Sequence, residues 1–252
     1  MSEIFVPRPY QKLMIEHMQA NMRCNVFVSP GMGKTVSTLA ALDALNLTSY
    51  VFPALVLGPL RVANSVWSRE VDKWARFNGL RVVKVLGTAE QRRKALRTPA
   101  DIYTTHYGLL AWLVAELAGK WPFRTVVADE STRLKGVRCS YRKHPRSGTV
   151  SFHTGGTVNS SALASVAHRS PRWINLTGTP APNGLKDLWG PHWFLDFGAA
   201  LGNSYGACMR RWFYQRQGTT AEQAVFEPLP HAHKEMTSRI APVTLSLSAY
   251  DW

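Results

Sequence analysis

Ser29-Pro30-Gly31-Met32-Gly33-Lys34-Thr35 sits between two runs of different character. Cys24-Asn25-Val26-Phe27-Val28 before it reads as a strand, and Thr35 to Leu45 after it carries apolar residues at helical spacing. A loop that wraps phosphates needs glycines, so that backbone N–H groups converge without side-chain clash. A helix start behind the loop adds partial positive charge. In such a loop Pro30, Gly31, Met32 and Gly33 offer the wrapping backbone. Lys34 reaches the β- and γ-phosphates, and the Thr35 hydroxyl ligates Mg²⁺. The G-x-G-K-T core of the motif is intact, whereas the first glycine of the longer pattern is absent.

Outward from that stretch, short apolar runs alternate with helical patterns. Ala54-Leu55-Val56-Leu57 is continuously apolar, as a strand covered on both faces must be. Val62 to Phe77 reads as a helix and Arg81 to Leu86 as a strand. Thr88 with Gln91 forms a capping box. Ile102-Tyr103-Thr104, Thr125-Val126-Val127-Ala128 and Trp173-Ile174-Asn175-Leu176 are further strands, and Tyr107 to Leu117 is a helix. This alternation predicts an α/β fold: a mostly parallel sheet with helices on both faces. Ligands of such sheets bind beyond the carboxyl ends of the strands. After about residue 197 the strand rhythm fades, and Tyr205 to Gln217 is aromatic and basic in a helical pattern. The expected division is therefore 1–197 for the sheet domain and 198–252 for a helical extension and linker. Arg133 to Arg146 and the Gly/Ser/Thr-rich run to Ser161 read as a basic surface loop.

Composition narrows the partners. The 252 residues hold 30 Lys and Arg against 16 Asp and Glu, a net charge of +14. That balance favours polyanions, nucleic acid foremost. Ten of the basic residues fall between Arg61 and Arg97, against three acids. Basic side chains neutralise backbone phosphates with little sequence preference. The three cysteines are far apart and form no zinc spacing. The longest apolar stretch, Leu109 to Ala118, is interrupted by Glu116 and too short for a bilayer. The N-terminus has no apolar signal region. A protein of the cytoplasm, without membrane partners, is expected.

Three other motifs carry chemistry. Asp129-Glu130 closes the run Thr125 to Ala128: an acid at a strand end can hold Mg²⁺, and its neighbour can orient the water for phosphoryl transfer. Thr177-Gly178-Thr179-Pro180 closes another strand, where hydroxyls beside a glycine can contact the carboxylates. In Pro7-Arg8-Pro9-Tyr10-Gln11, the Gln11 amide can pair with the adenine edge while Tyr10 packs on the ring.

In order and spacing these segments resemble the Snf2-like branch of superfamily 2 helicases, and the match covers the first RecA-like lobe from about residue 7 to 215. Tyr10-Gln11 resembles the adenine-reading Q motif, and Ser29 to Thr35 motif I. Leu57-Gly58-Pro59-Leu60-Arg61 resembles motif Ia, and Thr104-Thr105-His106-Tyr107 motif Ib. Asp129-Glu130-Ser131-Thr132-Arg133-Leu134-Lys135 is similar to the DEAH-R-L-K box, with Thr132 in place of histidine. Leu176 to Asn183, followed by Leu188-Trp189, is similar to motif III. The run from Trp173 to Trp189 is most like small phage and bacterial Snf2-type proteins, which places the protein in host cytoplasm if phage-encoded.

The resemblance implies ATP and Mg²⁺ as cofactors, with Lys34, Asp129 and Glu130 catalytic. Thr132, Thr177, Gly178 and Thr179 would couple the ATP site to motif III. Arg61, Thr105 and His106 would face a double-stranded DNA backbone. No Q-x-x-G-R-x-x-R segment is present, so a second RecA-like lobe, in cis or in trans, would supply arginine fingers. Without it hydrolysis is expected to be weak. The alternative is a non-catalytic nucleic-acid-binding or interaction module that retains the lobe fold. A P-loop kinase, which needs a small acceptor pocket, fits the basic surface poorly.

Overall fold

The computed structural model describes residues 2–216 and 225–251. Seven parallel strands form the central sheet: β1 (Arg23–Val28), β2 (Ala54–Gly58), β3 (Val82–Lys84), β4 (Ile102–His106), β5 (Thr125–Asp129), β8 (Arg172–Thr177) and β11 (Thr244–Leu247), in the order β11-β1-β8-β5-β2-β4-β3. β2, β5 and β8 are buried along almost their whole length, as their unbroken apolar runs require. One face is covered by α1 (Pro9–Ala20), α2 (Lys34–Asn46) and α3 (Trp67–Lys73), which pack Met14, Leu39 and Trp67 against Val26, Val56 and Ile174. On the other lie α5 (Leu110–Leu117), α6 (Val158–Val166), α7 (Trp189–Asp196), α8 (Tyr205–Trp212) and α9 (Ala232–Ile240). There Trp173 stacks on Phe194, with ring centroids 4.7 Å apart. α4 (Ala89–Arg97) is exposed and begins at the expected Thr88–Gln91 capping box. Among the described residues no helix is long and apolar enough to cross a membrane.

Beneath the sheet, between β1, β8 and α7, runs a polar chain. Trp173 Nε1 donates to Asn175 Oδ1, Asn175 Nδ2 to Asn25 Oδ1, and Asn25 Nδ2 to Thr244 Oγ1, each at 3.0 Å. Asn25 Nδ2 also lies 3.1 Å from His192 Nδ1, and His192 Nε2 lies 3.2 Å from Asp196. These buried groups satisfy one another, so they fix α7 in one position on the sheet instead of loosening it.

Three local expectations are corrected. The residues after 197 are not only helical: α8 stops at Trp212, β9 (Phe213–Gln215) pairs antiparallel with β10 (Phe226–Pro228), and β11 adds an edge to the main sheet beside β1. Gln217, at the end of the expected helix, lies outside the described residues. The basic loop after Arg133 contains an antiparallel hairpin, β6 (Ser140–Lys143) with β7 (Val150–His153). Tyr141 and Phe152 seat it against Trp193, at centroid distances of 6.0 and 6.1 Å. The segment 62–77 is a π-helical turn, α3 and a 3₁₀ turn in succession instead of one helix.

Candidate nucleotide site at the strand ends

A parallel sheet delivers all of its strand ends to one edge. Here β1 opens into the Ser29–Gly33 loop, β5 ends in Asp129-Glu130, and β8 ends in Thr177-Gly178-Thr179. β8 lies between β1 and β5, so the third motif sits between the first two. Contact between motifs follows from that order. A Cβ on Gly178 would stand 2.9 Å from Pro30 Cδ, so only a residue without a side chain lets the two loops approach this closely.

The glycine loop has the backbone its sequence implies. Gly31 and Gly33 have φ of +83° and +76°, left-handed values that side chains resist. Gly33 caps α2, and Lys34 and Thr35 form its first turn. Met32 is buried in the core beneath. The loop is folded on itself: Lys34 Nζ donates to Val28 O at 2.7 Å and to Ser29 O at 3.2 Å. Burial lowers the Lys34 ammonium from its ordinary value, and the nearby Asp129 and Glu130 charges partly restore it. Lysine and both carboxylates thus share one site.

Asp129 and Glu130 are neighbours in different settings. Burial raises the Asp129 carboxyl, against the opposing effects of a hydrogen bond from Trp67 and the Lys34 charge. Trp67 Nε1 donates to Oδ2 at 3.2 Å, and Tyr107 Oη donates to the Asp129 backbone oxygen at 3.0 Å. Glu130 has a left-handed backbone, φ +62°. Its Oε1 accepts from Thr132 Oγ1 and from Thr177 Oγ1, both at 3.1 Å. Thr177 Oγ1 in turn accepts from Thr179 N at 3.1 Å. Thr132, at the usual histidine position, therefore reaches the carboxylate directly. Two donors on one oxygen leave Oε2 as the oxygen with acceptor capacity to spare.

Gln11 lies against this loop. It closes the start of α1, accepting from Arg8 N at 2.9 Å, and its Nε2 is 2.4 Å from where a Gly33 Cβ would be. Tyr10 is partly exposed beside it. The donor set suits a hard cation: one hydroxyl at Thr35 and one carboxylate at Asp129. Among the described residues no three His, Cys, Asp or Glu gather as a metal site. A Mg²⁺ held here would need phosphate and water oxygens to complete its shell.

The three residues expected to face nucleic acid separate. Arg61 is exposed after β2. His106 sits at the end of β4 and shares a groove with Pro59, Leu60 and Arg133. Burial, reinforced by the nearby Arg92 charge, lowers the His106 imidazole from its ordinary value, so it is a neutral hydrogen-bonding group at pH 7. Thr105 is corrected: it is fully buried, and its hydroxyl donates to Val85 O at 2.9 Å. It ties β4 to the end of β3 and presents nothing to solvent. In the sequence Arg133 belongs to the basic run and to the segment similar to the DEAH-R-L-K box; its place in the groove depends on how β5 lies beside β2.

Known proteins are similar to this chain over much of its length. A protein designated p41 from Acyrthosiphon pisum secondary endosymbiont phage 1 is 47% identical over 251 residues, covering 98% of this chain and 52% of that protein. ATP-dependent helicase brm of Drosophila melanogaster is 28% identical over 200 residues, 77% of this chain and 10% of its own length. The Sulfolobus solfataricus SWI2/SNF2 ATPase core, solved in complex with dsDNA, superposes with a TM-score of 0.69 at 24% identity over 98% of this chain and 45% of that one. This chain thus spans about half of the phage relative and of the archaeal core, and far less of the helicase. A model of the SNF2-related domain matches residues 11–239, so the chain belongs to that family, whose relatives include chromatin remodelling factors and ATP-dependent helicases.

Proposed function

We propose that this chain is the first RecA-like lobe of a Snf2-type motor, which uses ATP and Mg²⁺ to move along double-stranded DNA. The observation that carries the reading is the convergence of Lys34, Asp129 and Glu130 at adjoining strand ends, with Thr177 hydrogen-bonded to the same glutamate. The glycine loop would hold the phosphates through its N–H groups, and Gln11 and Tyr10 would meet the adenine. Lys34 would exchange Val28 O and Ser29 O for phosphate oxygens, a gain because charge-assisted bonds to anions are the stronger ones. Thr35 and Asp129 would hold Mg²⁺, which supplies charge neutralisation at the phosphates. Glu130 Oε2 would accept from the attacking water while Thr132 and Thr177 fix the carboxylate through Oε1.

The duplex backbone would lie along the groove lined by Leu60, His106 and Arg133, with the exposed Arg61 next to Leu60 in the chain. An archaeal core of the same fold was solved in complex with dsDNA, which supports duplex DNA as the partner. A second lobe would supply arginine fingers, whose absence costs about 10³–10⁵ in rate. Titrating Mg·ATP against wild type and Lys34→Ala tests the reading. Binding by wild type, weakened about 10²-fold or more by the substitution, is expected, the scale of losing one charged donor to the phosphates. Equal binding, or none, favours the alternative of a non-catalytic module that keeps the fold. That alternative has one observation on its side, the engagement of Lys34 by its own loop.

A further inference from the structure

β4 lies between β2 and β3 and runs parallel to both. The end of β3 leads into α4, so α4 starts at the same edge of the sheet as His106, the last residue of β4. On the β2 side His106 shares its groove with Pro59 and Leu60. On the β3 side stands Arg92 of α4, whose charge adds to burial in lowering the imidazole. Arg92 differs from its neighbour in the chain. Arg93 is exposed and donates to both oxygens of Glu116, at 2.9 and 3.1 Å. Arg92 is half-buried, with its guanidinium carbon 4.1 Å from the Trp112 ring centroid. Its Nε is buried and, among the described residues, has no hydrogen-bond partner, and the guanidinium forms no ion pair. A charge withdrawn from water is normally paired, because an unpaired one costs stability. Stacking on an indole offsets only part of that cost. His106 is prepared in a complementary way. Gly108 N donates to its Nδ1 at 3.1 Å, so the neutral ring carries its proton on Nε2. The two side chains together offer donors and no negative charge.

We propose that Arg92 and His106 form a phosphodiester subsite, which holds one backbone phosphate of duplex DNA between the start of α4 and the end of β4. This rests on the DNA-binding reading above and carries the groove from the β2 side of β4 to its β3 side. The phosphate supplies the anion that Arg92 lacks, and guanidinium matches phosphate oxygens two at a time. His106 Nε2 donates to the same group without needing a charge of its own. Trp112 already holds the guanidinium, so little side-chain freedom is lost on binding. The contact reads no base, in keeping with a partner recognised by its backbone. The competing account is a purely structural Arg92 that seats α4 on Trp112.

The test is binding of a fluorescein-labelled, mixed-sequence DNA duplex to the full chain, by anisotropy across a series of NaCl concentrations. Three variants are compared with wild type: R92M, R92K and R93M. Arg92→Met keeps an unbranched stem against Trp112 and removes the charge. Each lost phosphate contact lowers the slope of log K against log salt by about 0.9. R92M is therefore expected to lower the slope by about 0.9, to bind about eightfold more weakly at about 0.1 M salt, and to converge on wild type near about 1 M. R92K, which keeps the charge, retains the slope. R93M, which removes a charge already paired with Glu116, leaves it unchanged. If R92M keeps the wild-type slope while wild type binds, the subsite is refuted and the DNA-binding reading stands. A weakening by R92M that is equal at every salt concentration favours the structural account and also refutes the subsite. If R92K loses the slope as R92M does, or R93M lowers it as much, the effect is not a phosphate contact at Arg92 and the subsite is again refuted. If wild type does not bind the duplex at all, the DNA-binding reading fails, and the subsite fails with it.

Discussion

The glycine loop and the carboxylate pair face each other across β8, yet they are prepared to different degrees. On the loop side Lys34 is bonded to two carbonyls of its own chain. On the acid side Glu130 already has two hydroxyl donors on Oε1, one of them held by a backbone N–H of the third motif. On the proposed reading the hydrolytic half would be set before a nucleotide arrives, whereas the binding half would have to open. Preorganised groups need no reorganisation at the reacting moment, which is where electrostatic catalysis gains most. A lysine that must leave its own carbonyls instead reports on occupancy, because only an anion offers it a better partner.

Breaking the acid side should give the larger effect. Glu130→Gln keeps the shape and the Thr177 and Thr132 contacts possible but removes the acceptor charge at Oε2. Single-turnover ATP hydrolysis is expected to fall about 10²–10⁴-fold, the range for a lost general base, with Mg·ATP affinity kept. A variant that also loses binding would show that Glu130 serves the loop, and the contrast between the halves would disappear. Thr177→Val is the finer cut. It leaves Glu130 with Thr132 alone and strands the Thr179 N–H. We expect a roughly tenfold slower single turnover, the effect of about 1.4 kcal/mol, with unchanged Mg·ATP affinity. An unchanged rate would mean that the hydroxyl pair is structural.

Much of this contrast could be read from the sequence. The buried strands β2, β5 and β8 are unbroken apolar runs, and the polar motifs stand at their ends, so the sheet and its reactive edge follow from local pattern. What escaped depends on distant partners. β11 is four residues, Thr-Leu-Ser-Leu, and gains its identity only by pairing with β1. The β6–β7 hairpin hides in a basic run and the Gly/Ser/Thr-rich run after it because its two anchoring aromatics need Trp193 to pack against. Thr105 reads as a surface hydroxyl next to His106. It is internal because β4 lies between β2 and β3 and turns that side chain onto Val85 O. The engagement of Lys34 by Val28 and Ser29 is likewise invisible in a motif, which names residue types and not their partners.

The two halves also differ in what burial costs them, and pH exposes it. The Asp129 carboxyl is raised above its ordinary 3.8, chiefly by burial. The folded chain therefore holds that proton more tightly than the unfolded chain. Stability falls as pH rises from about 4 through the folded value, and the loss is complete above it. Asp129→Asn removes the buried charge while its side-chain oxygen can still accept from Trp67. Without nucleotide, the variant is expected to melt above wild type at pH 7 and to lose that advantage below pH 4. It should also lose Mg²⁺-dependent ATP binding, the usual exchange of function for stability at a site. An equal melting temperature at pH 7 would show that Lys34 already compensates the charge in full.

Ser131 gives the smallest effect. It follows Glu130, is fully buried, and among the described residues its Oγ has no hydrogen-bond partner. It lines a small cavity with Asn25, Thr177 and His192, of which Asn25 and His192 bond each other and Thr177 is committed to Glu130. Removing an unsatisfied buried hydroxyl recovers about 1 kcal/mol, so Ser131→Ala should raise Tm by about 2–4 °C for a chain of this size. Because Thr177 keeps its bond to Glu130, single-turnover hydrolysis should not change. A lower Tm would reverse the account: the hydroxyl would then be bonded through solvent in the cavity, and the acid side would be held by one more contact than the direct ones. A slower turnover at unchanged Tm would place Ser131 among the groups that position Glu130.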